Sequence, residues 1–266
     1  MNELKLPKIG FGTWQLKPKD CTDSVLKAIE TGYRHIDTAQ MYGNEAEIGQ
    51  ALAQETIDRK ELIIATKLAI WRFRKKSVIK STEKSLEKLN LDYLDLLYVH
   101  WPAPIFYSHK RTLGAMSQLV DQGKVRHIGV SNFTRKLLDK AQEVCDKPIA
   151  ANQIEHHPWL KQLEMRKYLR EHDIYFVAYS PLIRGKVSEI PELNQVAEKH
   201  NCSEYQVSLA WIMNHDAVPI PKATSEDHIR DNYASLDVNL DDEDIEKIDS
   251  IEKEKRLLNP PIIRPW

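Results

Sequence analysis

Residues 34 to 45 read RHIDTAQMYGNE. A short β-like run, His35-Ile36-Asp37, ends on a carboxylate, and Tyr42 follows in a stretch that reads as a loop ahead of a helix. The same unit, an apolar run closed by a polar side chain and followed by a helix-period segment, recurs along the chain. The runs are RHIDTA (34 to 39), LIIATKL (62 to 68), LDLLYVH (94 to 100), HIGVSN (127 to 132), ANQIEH (151 to 156), YFVAYSP (175 to 181), AVPIPKA (217 to 223) and ASLDV (234 to 238). Between them, Val78, Thr82, Leu86 and Leu89 share one helical face, and Ile190, Leu193, Val196 and His200 another. Ser203-Glu204-Tyr205-Gln206 reads as a capping box opening the helix of Val207, Ala210 and Trp211.

Strands alternating with helices about eight times at roughly 30-residue spacing predict parallel strands joined by right-handed crossovers. The expected fold is α/β, a (β/α)8 TIM barrel, with residues 1 to 266 forming a single domain. A doubly wound open sheet is the alternative, because strand order is not visible in a sequence. Lys5 to Leu16, with Gly10 and Gly12, predicts an N-terminal β-hairpin ahead of the first barrel strand. The proline-containing segment Lys255 to Trp266 predicts a short C-terminal tail over one end of the barrel.

With 38 basic and 39 acidic residues, the net charge of −1 gives no reason to expect nucleic acid or an anionic membrane as partner. A small molecule is the expected partner, and a monomer the expected state. Cys21, Cys145 and Cys202 are odd in number and far apart, which predicts neither disulfide nor zinc site and suits a reducing compartment. MNELKLPKIGFGTW lacks the features of a secretory signal. No run approaches the ~18 apolar residues of a membrane helix. The expected location is cytoplasmic.

In a barrel the carboxyl ends of the strands face the active site. Those ends carry Asp37, Lys67, His100, Ser131 with Asn132, Gln153, Tyr179 with Ser180, and Lys222, while the strand interiors are Ile, Leu, Val and Ala. A nearby ammonium, from Lys67, is expected to favour the Tyr42 phenolate and so ease release of its proton. Asp37 would hold the lysine, and His100 would donate a hydrogen bond to a substrate oxygen. No nucleophile is evident, as there is neither G-x-S-x-G nor H-E-x-x-H. A hydride from a cofactor would fill that place.

Asp37-Thr38-Ala39-Gln40-Met41-Tyr42-Gly43-Asn44-Glu45, followed by Ile48-Gly49, resembles the first signature of the aldo-keto reductases, and the resemblance runs over essentially the whole chain. Length and the tail ending in Trp266 are similar to those of the bacterial 2,5-diketo-D-gluconate reductases of the smaller B type. The resemblance implies a catalytic tetrad of Asp37, Tyr42, Lys67 and His100, with Tyr42 as proton donor. It also implies NADPH as cofactor, with NADH possible, and a small aldehyde or ketone, such as a diketo sugar acid or methylglyoxal, as substrate.

There is no G-x-G-x-x-G, so strand ends and a helix start would have to hold the nicotinamide cofactor. Ser131, Asn132 and Gln153 suit a carboxamide, and Tyr179 suits stacking on the ring. Thr224 or Ser225 can cap a short helix whose free N–H groups favour phosphate, and Lys222 adds a full charge. By resemblance this is the 2′-phosphate site, and Thr13, Trp14, Ser180, Pro181, Leu182, Asp231 and Asn232 join the cofactor contacts. Ala223 departs from the family's usual serine, and His228 stands where arginine is common. A titrating ring in place of a permanent charge would make NADPH affinity fall more than NADH affinity as pH rises. Trp14 and Trp101 resemble the substrate-pocket aromatics. Ala69 stands where many members carry tryptophan, with Trp71 two positions beyond. Arg72, Arg184 and Arg264 are candidates for a substrate carboxylate, none of them assigned.

Two other classes are open to the same residues. One is a metal-dependent barrel hydrolase using His35, Asp37, His156 and His157, a poor cage because adjacent strand residues point to opposite faces. The other is a cofactor-binding redox sensor with little turnover, against which an intact tetrad argues.

Overall fold

The computed structural model describes residues 3–103 and 106–261. Eight strands form one sheet in sequence order: β1 (Phe11–Gly12), β2 (His35–Asp37), β3 (Ile63–Leu68), β4 (Leu94–Val99), β5 (Val125–Ser131), β6 (Ile149–Glu155), β7 (Tyr175–Tyr179) and β8 (Ala217–Pro219). Each neighbouring pair is parallel. The backbone N–H of Gly10 donates to Pro219 O and that of Gly12 to Pro221 O, both at 2.9 Å, so the last strand meets the first and the sheet closes. The expected (β/α)8 barrel is therefore observed, and the open sheet is not.

Two sequence expectations need correction. The segment Lys5 to Leu16 is no hairpin: its only strand, β1, pairs in parallel with β2 and is itself the first strand of the barrel. ASLDV is no strand either. Ala234 ends the helix Glu226–Ala234, and Ser235–Asp237 is a 3-10 turn. A two-residue strand is too short to show alternation, whereas the half-buried Ala234, Leu236 and Val238 alternate along the turn and mimic a strand in a local window. The N-terminal stretch instead lies at the amino end of the barrel, where Leu4 joins the interior apolar cluster and Tyr175 Oη donates to Leu4 O (3.0 Å).

The interior layer is Ala65, Leu96, Tyr98, Ala151, Val177 and Val218, and a second, larger core lies between the strands and the surrounding helices. Size is balanced across the interior. A Cβ at Gly129 would stand 2.6 Å from the Tyr98 ring, so the glycine makes room for the tyrosine. The helices form for the reasons their sequences give. Val78, Thr82, Leu86 and Leu89 are buried along Lys75–Leu89, which ends on Asn90 in the left-handed conformation. Ser203 and Gln206 form the reciprocal capping box at the start of Glu204–Asn214. Among the described residues, no helix is long and apolar enough to cross a membrane.

Candidate functional site

Polar side chains of the loop that follows Asp37 in RHIDTAQMYGNE are bonded across the fold. After β2 the chain makes a 3-10 turn, Gln40–Tyr42, and Gly43 (φ 73°) takes the left-handed step that starts the helix Glu45–Gln54. Buried Asn44 accepts from Thr38 Oγ1 (2.9 Å) and donates to Thr13 O (2.9 Å). Gln40 accepts from the Ala69 N–H (3.0 Å) and donates to Ser85 Oγ (3.1 Å). Glu45 accepts from Thr66 Oγ1 (2.9 Å). These bonds tie the β2 loop to β1, β3 and a helix, and so fix where the Tyr42 ring stands.

Lys67, at the carboxyl end of β3, is wholly buried. Its Nζ ion-pairs with Asp37 Oδ1, donates to Thr38 O (2.9 Å) and reaches Tyr42 Oη at 3.5 Å. The second oxygen of Asp37 accepts from Gln153 Nε2 (2.7 Å), so one carboxylate is shared between β3 and β6. The His100 ring meets the Tyr42 ring edge-on at 5.8 Å between centroids. The four residues expected from three strand ends and a loop thus stand together.

Their ionisation differs from the sequence expectation in one respect. Tyr42 is held well above the ordinary phenol pKa, first by burial and then by the negative charge of Asp37 and the neighbouring Tyr179 phenol, rather than being eased toward phenolate. Burial lowers Lys67, while Asp37 and its hydrogen bond oppose that shift. His100 is pushed down to about 3 by burial and by Lys67, so its ring is neutral at physiological pH. Among the described residues its buried Nδ1 has no partner, and the ring lines the cavity beside Tyr42. In ground-state form the site is a protonated phenol and a neutral imidazole above a paired amine.

These groups form one end of a cavity of about 960 Å3 at the carboxyl mouth of the barrel, lined by Asp37, Tyr42 and His100 with Lys67 beneath. Trp14 and Trp101 are on its wall, whereas Trp71 is 56% exposed and not among the lining residues. Ser131, Asn132, Gln153 and Tyr179 form a bonded chain along another wall. Ser131 Oγ donates to Gln153 O (2.8 Å), Asn132 Nδ2 to His100 O (3.1 Å), and Tyr179 Oη to Asn132 Oδ1 (2.8 Å). Asn132 and Ser180 sit at positive φ (63° and 53°), each turning the chain directly after its strand. Ser180, Pro181 and Leu182 continue the wall toward Lys222, Ala223, His228, Asp231 and Asn232 at the far end. Ser225, not Thr224, caps the helix there, accepting from the His228 N–H (3.4 Å).

Two expected contacts are placed elsewhere. Thr13 is fully buried with its hydroxyl on Asp37 O (2.9 Å), and Thr224 is exposed; neither lines the cavity. Arg264 and Trp266 lie outside the described residues. The would-be metal cage separates: His156 packs on Phe176 and Trp211, whereas His157 bonds Glu155. Several lining residues were not singled out from sequence, among them Met41, Tyr205 and the tail residues Leu258, Asn259 and Pro260. Arg184, weighed but left unassigned, is on the wall, its guanidinium 5.2 Å from the Trp14 ring centroid. Strand ends have a position signal; the tail was expected over one end of the barrel, but which of its residues meet the cavity is set only when the barrel closes.

Comparison with known proteins agrees with this architecture. The family model for the aldo/keto reductase family matches residues 8–253. A glyoxal reductase of Bacillus subtilis (strain 168) is 39% identical over 259 residues, covering 96% of this chain and 92% of that protein. Methylglyoxal reductase DkgB of Salmonella typhi is 38% identical over 264 residues, covering 98% and 99%. Among solved structures, that of a candidate 2,5-diketo-D-gluconic acid reductase B superposes with a TM-score of 0.94 at 33% identity, covering 98% of this chain and 93% of the other. With the closed barrel and nearly full-length matches, the chain belongs to the aldo/keto reductase family of NAD(P)H-dependent oxidoreductases.

Proposed function

We propose that this protein reduces small aldehydes and ketones to alcohols with NADPH as hydride source and Tyr42 as proton donor. The observation that carries the reading is the half-buried phenol of Tyr42, 3.5 Å from the Lys67 amine and facing the cavity beside His100. A bound nicotinamide cofactor would supply the hydride. The donor set fits such a group: hydroxyl and amide side chains and the Tyr179 ring at the strand ends, then the Lys222 amine and the His228 ring at the far end. Both are exposed, and neither has an ion pair among the described residues, so they suit the extra phosphate of NADPH. Glu226 on the same helix is already paired with Arg230 (2.9 Å) and Lys27 (3.6 Å), which tempers its repulsion of phosphate.

As a carbonyl accepts hydride, negative charge develops on its oxygen. His100 and Tyr42 would bond that oxygen, and the phenol would give up its proton as the charge grows. The Lys67 charge, held by Asp37, then favours the phenolate left behind. The relatives' names point to glyoxal and methylglyoxal as first substrates to assay, with diketo sugar acids next. That these groups all belong to one chain supports a monomer of one domain, and its three free cysteines suit a cytoplasmic setting.

Tyr42→Phe is the direct test. Turnover with NADPH and methylglyoxal should fall by about 10²- to 10⁴-fold, with the dissociation constant for NADPH, followed by fluorescence, unchanged. Turnover near that of the parent would remove Tyr42 from this role. Parallel titration with NADPH and NADH tests the cofactor preference.

A further inference from the structure

We infer that Glu155 is a positioning residue: from the carboxyl end of β6 it pins the C-terminal tail over the cavity mouth and so sets the wall that the longer carbonyl substrates meet. The inference rests on the reductase reading above. Glu155 is wholly buried and stands in register with Tyr179 of β7. Its carboxylate serves a nearby histidine and two backbone amides distant in the chain. Oε1 accepts from the Leu257 N–H (2.5 Å) and from His157 Nε2 (2.9 Å), and Oε2 accepts from the Leu258 N–H (2.9 Å).

A buried carboxylate is costly unless its lone pairs are met, and here three donors converge on it. Two of the three are backbone amides of the tail. Directly from that grip the chain runs on as Leu258, Asn259 and Pro260, all lining the cavity. Upstream, the Lys255 N–H donates to Trp159 O (2.7 Å) and Lys253 Nζ lies 3.4 Å from the Trp159 ring centroid, so the loop after β6 gives the tail a second hold. The first hold is at the mouth and the second is outside it. Loss of the carboxylate would therefore free the wall while leaving the tail attached.

Glutamine at this position keeps the shape but turns an N–H2 toward donors that need an acceptor. In full-length Glu155→Gln, amide exchange at Leu257 and Leu258, measured without cofactor or substrate, should accelerate about tenfold or more. The KM for a six-carbon diketo acid, long enough to reach the tail, should rise about five- to tenfold, with kcat and the NADPH dissociation constant little changed. The KM for glyoxal, which spans only the tetrad end, should stay. Leu257→Pro removes one donor without touching the carboxylate and should give the same split; it decides the matter where Glu155→Gln does not fold. Unchanged exchange would overturn the tether. Faster exchange with both KM values unmoved, or moved equally, would overturn the substrate-wall role. Failure of the parent to reduce either carbonyl would sink the reductase reading, while the exchange data would still decide the tether.

Discussion

Asp37 is the residue on which the site balances. One oxygen holds Lys67 and the other Gln153, in a pocket where each side chain is almost fully buried. Breaking such a pair from one side leaves an uncompensated charge in a poorly polarisable interior. Lys67→Met should therefore lower the unfolding free energy by about 3–5 kcal/mol in urea denaturation, besides removing turnover. Adding Asp37→Asn to that variant should recover part of the stability but none of the activity. A single variant as stable as the parent would show that the pair is not buried as described. The residue identities at this site could be read from the strand ends. The direction of the Tyr42 shift could not, because desolvation depends on what covers the ring, and Tyr179 is far from it in sequence.

Elements place these residues, and their weak points are local. At the seam, Gly12 passes so close to β8 that an added Cβ would stand 2.6 Å from Ile220 O, a backbone atom with little room to give. Gly12→Ala should cost about 1–3 kcal/mol through overpacking, seen as a lowered thermal midpoint; an unchanged midpoint would mean that the seam relaxes freely. Behind the cavity, Ser203 caps Glu204–Asn214, whose first turn carries Tyr205 onto the cavity wall, and its Oγ also donates to Asp231 (2.8 Å). Ser203→Ala should cost about 1–2 kcal/mol, again read from thermal unfolding. This capping box was legible because it is encoded within four residues. β1 was not, because two residues carry no period and their strand character comes only from β2 and the β8 connection on either side.

Across the whole molecule, several histidines are buried in neutral form. Burial lowers His35 and His215 to about 4 and His100 to about 3, and puts His156 well below its usual range. In the unfolded chain these rings regain an ordinary pKa near 6.5. Between roughly pH 4 and 6.5 the unfolded state then binds more protons than the folded one, so stability rises with pH across that window and is lost as pH falls through it. Each such ring contributes a slope of about 1.4 kcal/mol per pH unit. Denaturant midpoints should drop steeply from pH 7 to 5, and His35→Asn should reduce the slope by one ring's share. A flat profile would contradict the neutral burial of these residues.

Sequence by itself determined the alternation of strand and helix, the polar side chains that close the strands, and the local caps, because burial period and turn chemistry are written in neighbouring residues. Tertiary structure alone decided which segment closes the barrel, that Ser235–Asp237 is a turn, which way Tyr42 and Lys67 shift, and that Glu155 holds a tail about 100 residues downstream of it. Pairing between distant segments and exclusion of water depend on what lies opposite a residue, and a one-dimensional pattern holds no record of that.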